Sequence, residues 1–551
     1  MPRKVIIIGG VAGGASCAAR LRRNDESAEI SIIERGEHIS FANCGLPYHL
    51  SGAIPDYQDL LIHTPESFRS RFNVTVRVRH EALEIHREKK TVLIRDLKLD
   101  RTSEEPYDQL VLSPGASSLK IPFEGNQLPA VYNLRNIPDL QSIMKAISCG
   151  AKRALIVGCG YIGLEVAENL VRAGLSVFMV ETASQVLSNL DPEMAVIVRN
   201  LMSGKIKLCL SDRIRKAEQN GSGLLLTLES GRQIGVDLVI VGAGVVPESM
   251  LAASCGLKLG IRNSIVVDAF LRTSDPDIYA VGDAVEIENA VDGTRVCLPL
   301  AGPANRQGRI AADNICGAER KYSGTLGTAI TRFFELTVAS CGLNEKCLKN
   351  SGIDFTKVYT HALSHAGYYP GAGSLSLKLL FCRADGKLLG AQILGTDGVD
   401  KRMDVLAAMI KFKKTVFDLT ELELSYAPPY SSAKDPVNLA GYAAENMLRG
   451  IVRVAYPEEI DLHISDGGIV LDVRSQEEIS AGAIPGSIHI PLPELRSKMA
   501  QLPSGKPIII NCQTGLRSYI ACRILSQHGL DVRNLSGGYK TYKFYKQSSE
   551  P

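Results

Sequence analysis

Apolar runs of strand length alternate with amphipathic stretches of helix length through about the first 320 residues. This alternation is typical of α/β domains that are built on parallel sheets. A unit of strand, glycine-rich turn, helix and strand occurs twice. Its first copy has strands at residues 5–8 and 30–34, and its second copy has strands at 154–157 and 177–181. Two such units in one chain predict two nucleotide-binding sites.

The rest of the chain predicts further folded regions, because 551 residues exceed what one hydrophobic core can hold. The pattern after residue 321 mixes strands and helices as in an α+β domain, and a final α/β unit follows a short connecting stretch. We predict a first nucleotide-binding domain in two parts, a second nucleotide-binding domain, an α+β domain, a linker and a last domain. Their bounds, with the two parts of the first domain given together, are 1–119 with 245–321, 120–244, 322–447, 448–456 and 457–551.

The second unit carries a complete G-x-G-x-x-G turn between its first strand and its helix. Gly158 permits the tight turn, Gly160 lets a pyrophosphate approach the backbone, and Gly163 lets the helix pack closely on the strand. Glu181 ends the next strand at the position where a carboxylate accepts the ribose hydroxyls and repels a 2′-phosphate. These residues predict a dinucleotide site that prefers NADH to NADPH.

The first unit is less regular, because Val11 stands where the second glycine of the fingerprint is expected. Its turn runs from Gly9 to Gly14, and Glu34 ends the following strand as Glu181 does in the second unit. Farther along the chain, a strand pattern ends in Gly-Asp and presents Asp283 to a ribityl chain. This combination supports a nucleotide site at the first unit despite its irregular fingerprint.

A single cysteine, Cys44, lies just after the first nucleotide unit in the segment Ser-Phe-Ala-Asn-Cys-Gly-Leu-Pro-Tyr. It has no second cysteine two or five residues away. Near a helix N-terminus we expect the thiol to be stabilised as the thiolate, which is the form that attacks sulfur. The alternative is a buried structural cysteine. A flavin enzyme with one such thiol needs a second thiol from outside the chain to complete its redox couple.

The two nucleotide sites and the Gly-Asp element resemble the two-dinucleotide-binding flavoproteins, the pyridine nucleotide-disulfide oxidoreductases related to glutathione reductase. The lone Cys44 and its flanking residues resemble the single-cysteine branch, which includes coenzyme A-disulfide reductases, NADH oxidases and NADH peroxidases. The resemblance implies FAD at the first site and NADH at the second. The implied FAD-binding residues are Gly9, Ala12, Gly14, Glu34, Arg35, Ser113, Gly115 and Asp283. The implied NADH-binding residues are Gly158, Gly160, Tyr161, Ile162, Gly163, Glu181 and Gly244.

The same branch implies a coenzyme A site and a homodimer. Cations hold the phosphates of coenzyme A, although such arginines by themselves are also common on solvated helix faces. The positions that match the branch are Arg20, Arg23, Ser40, Asn43, Arg71, Asn305 and Arg306. In the branch, tyrosines matching Tyr368 and Tyr426 reach the cysteine of the other subunit, and Tyr369 and Tyr430 are the alternative matches.

The C-terminal unit resembles a rhodanese domain throughout its length, with matching segments at 468–474, 482–491 and 508–518. Cys512 ends a strand and begins a loop whose N–H groups form a nest for anionic sulfur. We expect Arg517 to hold that anion. The same loop pattern also occurs in phosphatases, and inactive rhodanese folds exist, but the presence of Cys512 favours sulfur transfer.

Composition argues against several other classes. The formal net charge of +3 favours neither nucleic acid nor a membrane surface, and no apolar run is long enough to span a bilayer. Thirteen scattered cysteines without CxxC spacing indicate reduced thiols and a cytoplasmic protein. His361 and His365 have i, i+4 spacing, but nearby glycine and proline predict a loop and no third ligand accompanies them. We therefore assign no metal.

Taken together, these features most resemble the NADH-dependent persulfide and coenzyme A-disulfide reductases that carry a rhodanese domain. We expect reduction of coenzyme A persulfide, polysulfide or coenzyme A disulfide at Cys44, with sulfane sulfur supplied through Cys512. Two alternatives stay open. The protein is an NADH oxidase or peroxidase that cycles Cys44 through sulfenic acid, or it is a sulfur carrier or regulatory binder.

Overall fold

The computed structural model of the chain describes residues 2–503 and 505–549. The chain divides into two compact units. Unit 1 consists of Met1–Thr182 with Gly204–Gly327, and unit 2 consists of Ala183–Ser203 with Thr328–Pro551. Within the described ranges, no helix is both long enough and apolar enough to cross a membrane.

Unit 1 has the α/β order that the sequence predicts. Its first stretch contains β1 (Lys4–Ile8), α1 (Ala12–Asn24), β2 (Glu29–Glu34), α2 (Leu46–Leu50), α3 (Pro65–Phe72), β3 (Thr75–Val78), β4 (His80–His86), β5 (Thr91–Asp96), β6 (Arg101–Pro106), β7 (Gln109–Leu112), β8 (Ala116–Ser118), β9 (Val131–Asn133), α4 (Ile137–Ser148), β10 (Arg153–Val157), α5 (Tyr161–Arg172) and β11 (Ser176–Val180). The next helix, α6 (Pro192–Met202), belongs to unit 2. The second stretch of unit 1 contains β12 (Ile206–Cys209), β13 (Ile214–Asn220), β14 (Gly223–Leu228), β15 (Gln233–Val236), β16 (Leu238–Val241), β17 (Val245–Pro247), α7 (Met250–Ser254), β18 (Ile265–Val266), β19 (Ile278–Ala280), β20 (Val285–Glu288), β21 (Arg295–Val296) and α8 (Ala301–Ile315).

The first sheet of unit 1 is parallel, with the strand order β19-β7-β1-β2-β3. β1 is apolar and buried after its first residue, as expected for a strand of a parallel sheet that is covered on both faces. Its last residue pairs with the last residue of β7, which pairs in turn with the last residue of β19. Gly9, Ser113 and Gly282 therefore follow three adjacent strand ends, the edge at which α/β sheets bind ligands.

The second parallel sheet repeats this arrangement with the order β12-β11-β10-β16-β9. Its central strand β10 pairs with β11 on one side and with β16 on the other. The N–H of Gly242, which follows β16, donates to the carbonyl of Val157 at the end of β10 at 2.8 Å. The glycine turn that begins at Gly158 thus also opens at the carboxyl ends of parallel strands.

Helices α1 and α8 pack together in unit 1 without intervening side chains. A Cβ atom at Gly308 would lie 2.3 Å from the carbonyl oxygen of Gly13, so only glycine permits this separation. The close packing brings the exposed faces of the two helices side by side, and both faces carry predicted coenzyme A-binding residues.

Unit 2 begins with α6 and continues after Gly327 with an α+β domain. Its elements are β22 (Ala329–Phe333), β23 (Leu336–Gly342), α9 (Glu345–Asn350), β24 (Phe355–Leu363), β25 (Ser374–Cys382), β26 (Leu388–Gly395), α10 (Val399–Lys411), α11 (Val416–Thr420) and α12 (Pro436–Leu448). The five strands form an antiparallel sheet in the order β22-β23-β26-β25-β24.

The last part of unit 2 is a parallel α/β fold. It contains β27 (Val454–Ala455), α13 (Ile460–Ser465), β28 (Ile469–Asp472), α14 (Gln476–Ser480), β29 (Ile488–His489), α15 (Leu495–Lys498), β30 (Ile508–Asn511), α16 (Leu516–Gln527), β31 (Val532–Leu535) and α17 (Gly538–Ser549). The sheet order is β27-β31-β30-β28-β29. The segment predicted as a linker, 448–456, contains β27. This part of the segment is an edge strand of the last sheet, since its two residues pair with β31.

A buried ion cluster in unit 2 is centred on Lys378 of β25. Its ammonium group lies 2.7 Å from Asp191, 2.5 Å from Glu193 and 2.5 Å from Glu345, and the side chain is fully buried. Burial alone would lower the pKa of Lys378, but the carboxylates outweigh it and raise that pKa. The three carboxylates are near enough to one another to hold a metal ion, and the lysine supplies the cation instead.

The ion cluster also joins the antiparallel sheet to the C-terminal fold. Lys357 of β24 donates to Glu345 at 2.7 Å and to Glu458, at the start of the last fold, at 2.8 Å. The hydroxyl of Tyr456 donates to the carbonyl of Lys357 at 2.8 Å, and the N–H of Tyr359 donates to Ser536 at 3.1 Å. Polar contacts therefore fix the two parts of unit 2 to each other.

Candidate active site

The first glycine turn has no room for larger side chains. Gly9 has a φ of +96°, and a Cβ atom there would lie 2.0 Å from the carbonyl oxygen of Ser113. A Cβ at Gly14 would lie 1.9 Å from the carbonyl oxygen of Gly9. The N–H of Gly10 donates to the Glu34 carboxylate at 2.9 Å, so the acid at the end of β2 holds the turn in place. Ala12 begins α1 directly after this turn.

The second glycine turn is as closely packed as the first, but it leaves open space beside Gly160. A Cβ at Gly163 would lie 2.1 Å from the carbonyl oxygen of Gly158, whereas a Cβ at Gly160 would meet no atom within 4 Å. The N–H of Cys159 donates to the Glu181 carboxylate at 2.8 Å, as that of Gly10 does in the first turn. The remaining predicted NADH-binding residues lie at the start of α5 and just after β16; they are Tyr161, Ile162 and Gly244.

Asp283 lies at the carboxyl edge of the first sheet and forms an ion pair with Arg135. The Arg135 guanidinium donates to the Asp283 carboxylate at 2.9 Å and to the carbonyl of Ala116 at 3.1 Å. The same guanidinium would lie 3.7 Å from a Cβ at Gly115, and Ser113 Oγ would lie 2.9 Å from a Cβ at Gly13. The predicted Ser113, Gly115 and Asp283 are therefore neighbours of the first glycine turn.

Arg35 has a different environment from the other predicted FAD-binding residues. Its guanidinium lies 3.7 Å from the Glu81 carboxylate, and 64% of its side chain is exposed. The structure therefore shows a solvated ion pair at this position, which leaves the role of Arg35 toward FAD a prediction.

Cys44 lies in a short 3-10 turn, Asn43–Gly45, which leads into the five-residue helix α2. Its residue is exposed and forms no disulfide. Protein nevertheless surrounds enough of the thiol that burial raises the pKa of Cys44, and Glu165 and Asp283 raise it further while Arg135 opposes them. We expected a stabilised thiolate, and that expectation is wrong for the chain alone, because burial and two carboxylates outweigh the Arg135 guanidinium.

The segment that carries Cys44 is attached to the helix of the second nucleotide unit. The hydroxyl of Tyr48 donates to Glu165 of α5 at 3.3 Å, and Ser51 donates to Asn169 of α5 at 2.6 Å. Burial and the Glu165 carboxylate raise the pKa of Tyr48 to about 12, so this phenol keeps its proton at neutral pH. The two nucleotide units thus meet beside the redox cysteine.

Predicted coenzyme A-binding residues of α1 and α8 lie together. Arg20 donates to the Asp313 carboxylate at 2.6 Å, and Ser16, one turn earlier on α1, donates to the side chain of Asn305. Arg20 is therefore already neutralised by a carboxylate, which reduces what it offers to a phosphate. Asn305 lies exposed beside it on α8.

Three other predicted arginines are accessible. Arg306 lies over the ring of Tyr322, with 5.9 Å from its guanidinium carbon to the ring centroid, and Arg71 lies over Phe72 at 5.4 Å. Arg23 is exposed in the last turn of α1. Stacking on a ring orients a guanidinium while leaving its N–H groups available to an anion.

Ser40 and Asn43 flank the approach to Cys44. Ser40 has a φ of +46°, a left-handed conformation that is uncommon for serine, and its N–H donates to the carbonyl of Gly10 at 2.8 Å. The Cys44 thiol donates to the Asn43 side chain at 3.8 Å. The backbone hydrogen bond of Ser40 thus attaches the segment that carries Cys44 to the first glycine turn.

The two predicted tyrosines of unit 2 form a pair. The hydroxyl groups of Tyr368 and Tyr426 lie 3.1 Å apart, and both side chains are exposed. Their hydrogen bond raises the pKa of Tyr368. The alternative Tyr369 packs edge-on against His365 with ring centroids 5.7 Å apart, and the carbonyl of Tyr430 accepts from Lys401. The structure therefore brings the hydroxyls of Tyr368 and Tyr426 together, and which tyrosines act in the reaction stays a prediction.

Cys512 follows β30 and is fully buried at the base of its loop. The N–H of Gly515 donates to its sulfur at 3.1 Å, and the hydroxyl of Ser518 donates to it at 3.2 Å. Ser518 was not identified from the sequence, although its position next to Arg517 at the start of α16 places it in the same turn. The loop thus directs one backbone N–H and one hydroxyl at the sulfur, and the larger N–H nest stays a prediction.

Arg517 does not hold the sulfur of Cys512 in this structure. Its two terminal nitrogens donate to the two carboxylate oxygens of Glu478 at 2.8 Å and 2.6 Å. This two-point pair lowers the pKa of Glu478 to about 2. Glu478 of α14 is a partner that the sequence did not reveal, and the role of Arg517 toward an anion on Cys512 stays a prediction.

The histidine pair of unit 2 is not a helical metal site. His361 lies in β24, where its ring nitrogens hydrogen-bond to Ser376 at 2.9 Å and to Thr541 at 2.8 Å. Burial lowers the pKa of His361 to about 3, so it is a neutral structural contact. The loop prediction for this segment is wrong at His361, because the strand continues to Leu363.

Comparison with known families gives three consecutive matches. Residues 3–308 match the pyridine nucleotide-disulphide oxidoreductases, residues 328–436 match the dimerisation domain of the same family, and residues 456–544 match the rhodanese-like domain. The first match alone covers more than half of the chain.

The chain belongs to the pyridine nucleotide-disulphide oxidoreductase family. Among curated relatives, the coenzyme A disulfide reductase of Staphylococcus epidermidis is 37% identical over 444 residues, which are 80% of this chain and 100% of that protein. About a fifth of this chain lies outside that match.

Two solved structures match nearly the whole length of this chain. The reduced CoADR-RHD of Bacillus anthracis is 48% identical, with a TM-score of 0.97 over 99% of this chain and 98% of that one. The NAD-dependent persulfide reductase of A. fulgidus is 35% identical, with a TM-score of 0.91 over 98% and 99%. The predicted fold class is confirmed by these matches: two Rossmann-like domains, an α+β dimerisation domain and a C-terminal α/β rhodanese domain.

The residues present fit the cofactors of the family, FAD and NAD(H). Both glycine turns exclude side chains, the space beside Gly160 is open, and Glu34 and Glu181 lie at the expected strand ends. Sequence reasoning missed Arg135 and Glu165, which together with Asp283 set the charge around Cys44. No local signal identifies them, because both are far from Cys44 along the chain.

Proposed function

We propose that the protein is an NADH-dependent, FAD-containing reductase of coenzyme A persulfide, polysulfide or coenzyme A disulfide. The observation that carries the proposal is Cys44, an exposed thiol in no disulfide, which lies between the two nucleotide units. The nearest cysteine along the chain, Cys17, is buried, and burial raises the pKa of Cys17 to about 12. The proposal therefore takes the redox partner of Cys44 to be the thiol of a bound small molecule.

FAD, when bound, would relay two electrons from NADH to a disulfide at Cys44. Gly9, Gly14, Glu34 and Asp283 are the residues that would hold it. The chain's own task is to bind, orient and deprotonate the reacting sulfur groups. Because Cys44 alone keeps its proton at neutral pH, removal of that proton is the first requirement for reaction.

In the proposed reaction with coenzyme A persulfide, the Cys44 thiolate attacks the sulfur that is bonded to coenzyme A. The Cys44–coenzyme A disulfide bond forms, the persulfide S–S bond breaks, and HS⁻ leaves with the electron pair. HS⁻ leaves more readily than an alkyl thiolate, since its conjugate acid is the stronger acid. Two electrons and one proton then return the Cys44 thiolate and free coenzyme A thiol. Coenzyme A disulfide would give the same mixed disulfide with coenzyme A thiolate as the leaving group.

Tyr368 and Tyr426 would supply that proton. We propose a homodimer in which the tyrosine pair of one subunit faces Cys44 of the other, supported by the dimerisation domain and by the exposed hydroxyl pair. A phenol that shares a hydrogen bond with a second phenol can donate its proton while its oxygen remains stabilised. The pair thus acts on the departing coenzyme A thiolate.

The coenzyme A phosphates would lie along α1, α3 and α8. Arg23, Arg71 and Arg306 offer accessible guanidinium groups there, and Asn305 lies beside Ser16. Arg20 would contribute less, because Asp313 already pairs with it. If the substrate carries phosphates, we therefore expect Arg23, Arg71 and Arg306 to contribute more to its binding than Arg20.

Cys512 would carry sulfane sulfur and deliver it to coenzyme A or to Cys44. The N–H of Gly515 and the hydroxyl of Ser518 point at its sulfur and would stabilise a persulfide anion. A thiol-based cycle of this kind suits the cytoplasm, and all thirteen cysteines, which lie in the described ranges, are outside disulfides. The proposal includes neither nucleic acid nor a membrane as partner.

The decisive comparison is between sulfur and oxygen as electron acceptors. NADH oxidation is measured anaerobically with coenzyme A persulfide, and aerobically with oxygen or peroxide. The proposal expects the first reaction to be much faster. A faster aerobic reaction with stoichiometric turnover would instead establish an oxidase or peroxidase.

A sulfur-carrier role without reduction is the second alternative. Cys512→Ser should keep most of the activity on coenzyme A disulfide if the protein is a reductase, because that substrate needs no sulfur delivery. Cys44→Ser should abolish it. Loss of all activity in Cys512→Ser with retention in Cys44→Ser would favour the carrier.

A further inference from the structure

Two arginines flank the Cys512 loop, and each is matched by a carboxylate. Both terminal nitrogens of Arg517 bind Glu478, at 2.8 Å and 2.6 Å. Arg474 is buried against Asp472, with a donor–acceptor distance of 2.9 Å. The two pairs are electrically neutral at neutral pH, so the loop is left without the excess positive charge that a multiply charged anion requires.

Lys540, which follows the loop on α17, does not restore that charge. The backbone N–H of Lys540 donates to the carbonyl of Gln513 in the loop at 3.1 Å. Its ammonium group donates to Ser374 at 2.7 Å, and burial lowers the pKa of Lys540. The donors that point at the Cys512 sulfur are therefore one N–H and one hydroxyl, which suit a single negative charge.

The rim of the loop is apolar. Leu516 is 65% exposed and Ile520, one turn later on α16, is 40% exposed. Apolar side chains offer contact to the organic part of a persulfide and nothing to the sulfonate group of thiosulfate. These apolar side chains are a second observation, independent of the ion pairs, that favours an organic persulfide over thiosulfate.

We propose that Glu478 makes the Cys512 loop selective for sulfane sulfur carried on an organic persulfide, and against dianionic thiosulfate. The inference rests on the proposed role of Cys512 as a sulfur carrier. Glu478 acts through Arg517 and is a positioning residue. By holding that guanidinium and cancelling its charge, it removes the cation that would favour a dianion.

The two donors react by balanced sulfur transfer. With an organic persulfide, the Cys512 thiolate attacks the outer sulfur, a new S–S bond forms on Cys512, and the donor leaves as its thiolate with the electron pair. With thiosulfate, the same attack on the outer sulfur releases sulfite. Neither transfer consumes an external oxidant or reductant, so both can be measured without NADH.

The test compares the full-length protein with Glu478→Gln and with the matched control Glu477→Gln. The N–H of Ser475, the N-cap residue of α14, donates to the Glu478 side chain at 3.0 Å. Glutamine at 478 keeps an oxygen that can accept this bond and removes only the charge. Glu477 is exposed on the same short helix. Each protein is mixed with propyl persulfide, which carries a single negative charge, or with thiosulfate, quenched by alkylation, and analysed for the Cys512 peptide with one added sulfur.

We expect the unmodified protein to react with propyl persulfide about a hundredfold faster than with thiosulfate at equal concentration. Glu478→Gln should speed the thiosulfate reaction about tenfold, through a lower half-saturating concentration, and change the propyl persulfide rate by less than about twofold. The gain should shrink at high salt, because it comes from an unpaired cation. Glu477→Gln should match the unmodified protein. The retained propyl persulfide rate also reports that Glu478→Gln is folded.

The inference is overturned if the unmodified protein uses both donors equally, or if Glu478→Gln keeps the original ratio of their rates. Absence of sulfur on Cys512 with either donor is a different result. It would remove the carrier role itself, and this inference with it.

Discussion

The hydroxyl groups of Tyr368 and Tyr426 lie 3.1 Å apart, although the residues are separated by 57 intervening positions. Their hydrogen bond raises the pKa of Tyr368, so a proton is present on the pair at neutral pH. Both side chains are exposed, which leaves them available to a substrate or to a second subunit. In the proposed function, this pair supplies the proton to the departing coenzyme A thiolate.

Replacing either tyrosine with phenylalanine should therefore lower kcat for coenzyme A disulfide by about tenfold or more. The double variant should lose little beyond the larger single effect, because the two hydroxyls act as one unit. Steady-state kinetics of the three variants measure this. Tyr430→Phe is the control, and additive losses in the double variant would show that the pair does not act together.

Cys44 should become more reactive when the neighbouring carboxylate is removed. Glu165 raises the pKa of Cys44, so Glu165→Gln should lower that pKa and increase the thiolate fraction at pH 7. We expect the alkylation rate of Cys44 by iodoacetamide to rise about threefold or more, measured on the holoenzyme by the mass of its peptide. Glu229→Gln is the control, and an unchanged pH profile in Glu165→Gln would contradict the electrostatic account.

Arg71 tests the coenzyme A site with a matched neighbour. Its guanidinium is stacked on Phe72 and accessible, and Arg69 is an exposed arginine on the same helix. We expect Arg71→Ala to raise KM for coenzyme A disulfide about tenfold with little change in kcat, because one phosphate contact is lost. Arg69→Ala should leave KM unchanged. Equal effects of the two substitutions would indicate a general charge effect and not a site.

The buried ion cluster predicts an acid-sensitive stability of unit 2. Burial alone would raise the pKa of Glu345, but Lys378 and Lys357 outweigh it and lower that pKa to about 2. A depressed pKa contributes stability that is present above the unfolded value of 4.5 and is lost as the pH falls toward about 2. Asp191, whose pKa is raised by burial, acts in the opposite sense and offsets part of this effect.

Glu345→Gln should therefore show a smaller fall in the midpoint of thermal unfolding between pH 4.5 and pH 2 than the unmodified protein. The difference between the two proteins should vanish toward pH 2. Calorimetry across this range measures it, with Glu421→Gln as an exposed control. A constant difference at every pH would mean that Glu345 stabilises the fold through packing and not through its charge.

The features that sequence reasoning identified are those that local chain geometry dictates. A glycine turn after an apolar strand, with an acid at the end of the next strand, requires few residues and fixed spacings, so Glu34 and Glu181 were found. Cys44 and Cys512 were found because each follows a strand or turn with a recognisable sequence. The structure places all four as expected relative to their turns.

The features that were missed depend on contacts between distant segments. Arg135 and Asp283, and likewise Glu478 and Arg517, pair across long stretches of chain, and no spacing rule relates them. Lys378 lies in a strand that is otherwise mostly apolar, and only the fold reveals three carboxylates around it. The raised pKa of Cys44 has the same origin, because it results from groups gathered by tertiary structure.

The central claim is that the redox partner of Cys44 is a small-molecule thiol. The most direct test is the mass of the Cys44 peptide from protein purified without reducing agents. The account predicts a disulfide-linked coenzyme A adduct that a reductant or NADH removes. A disulfide between Cys44 and another cysteine of the protein would contradict it.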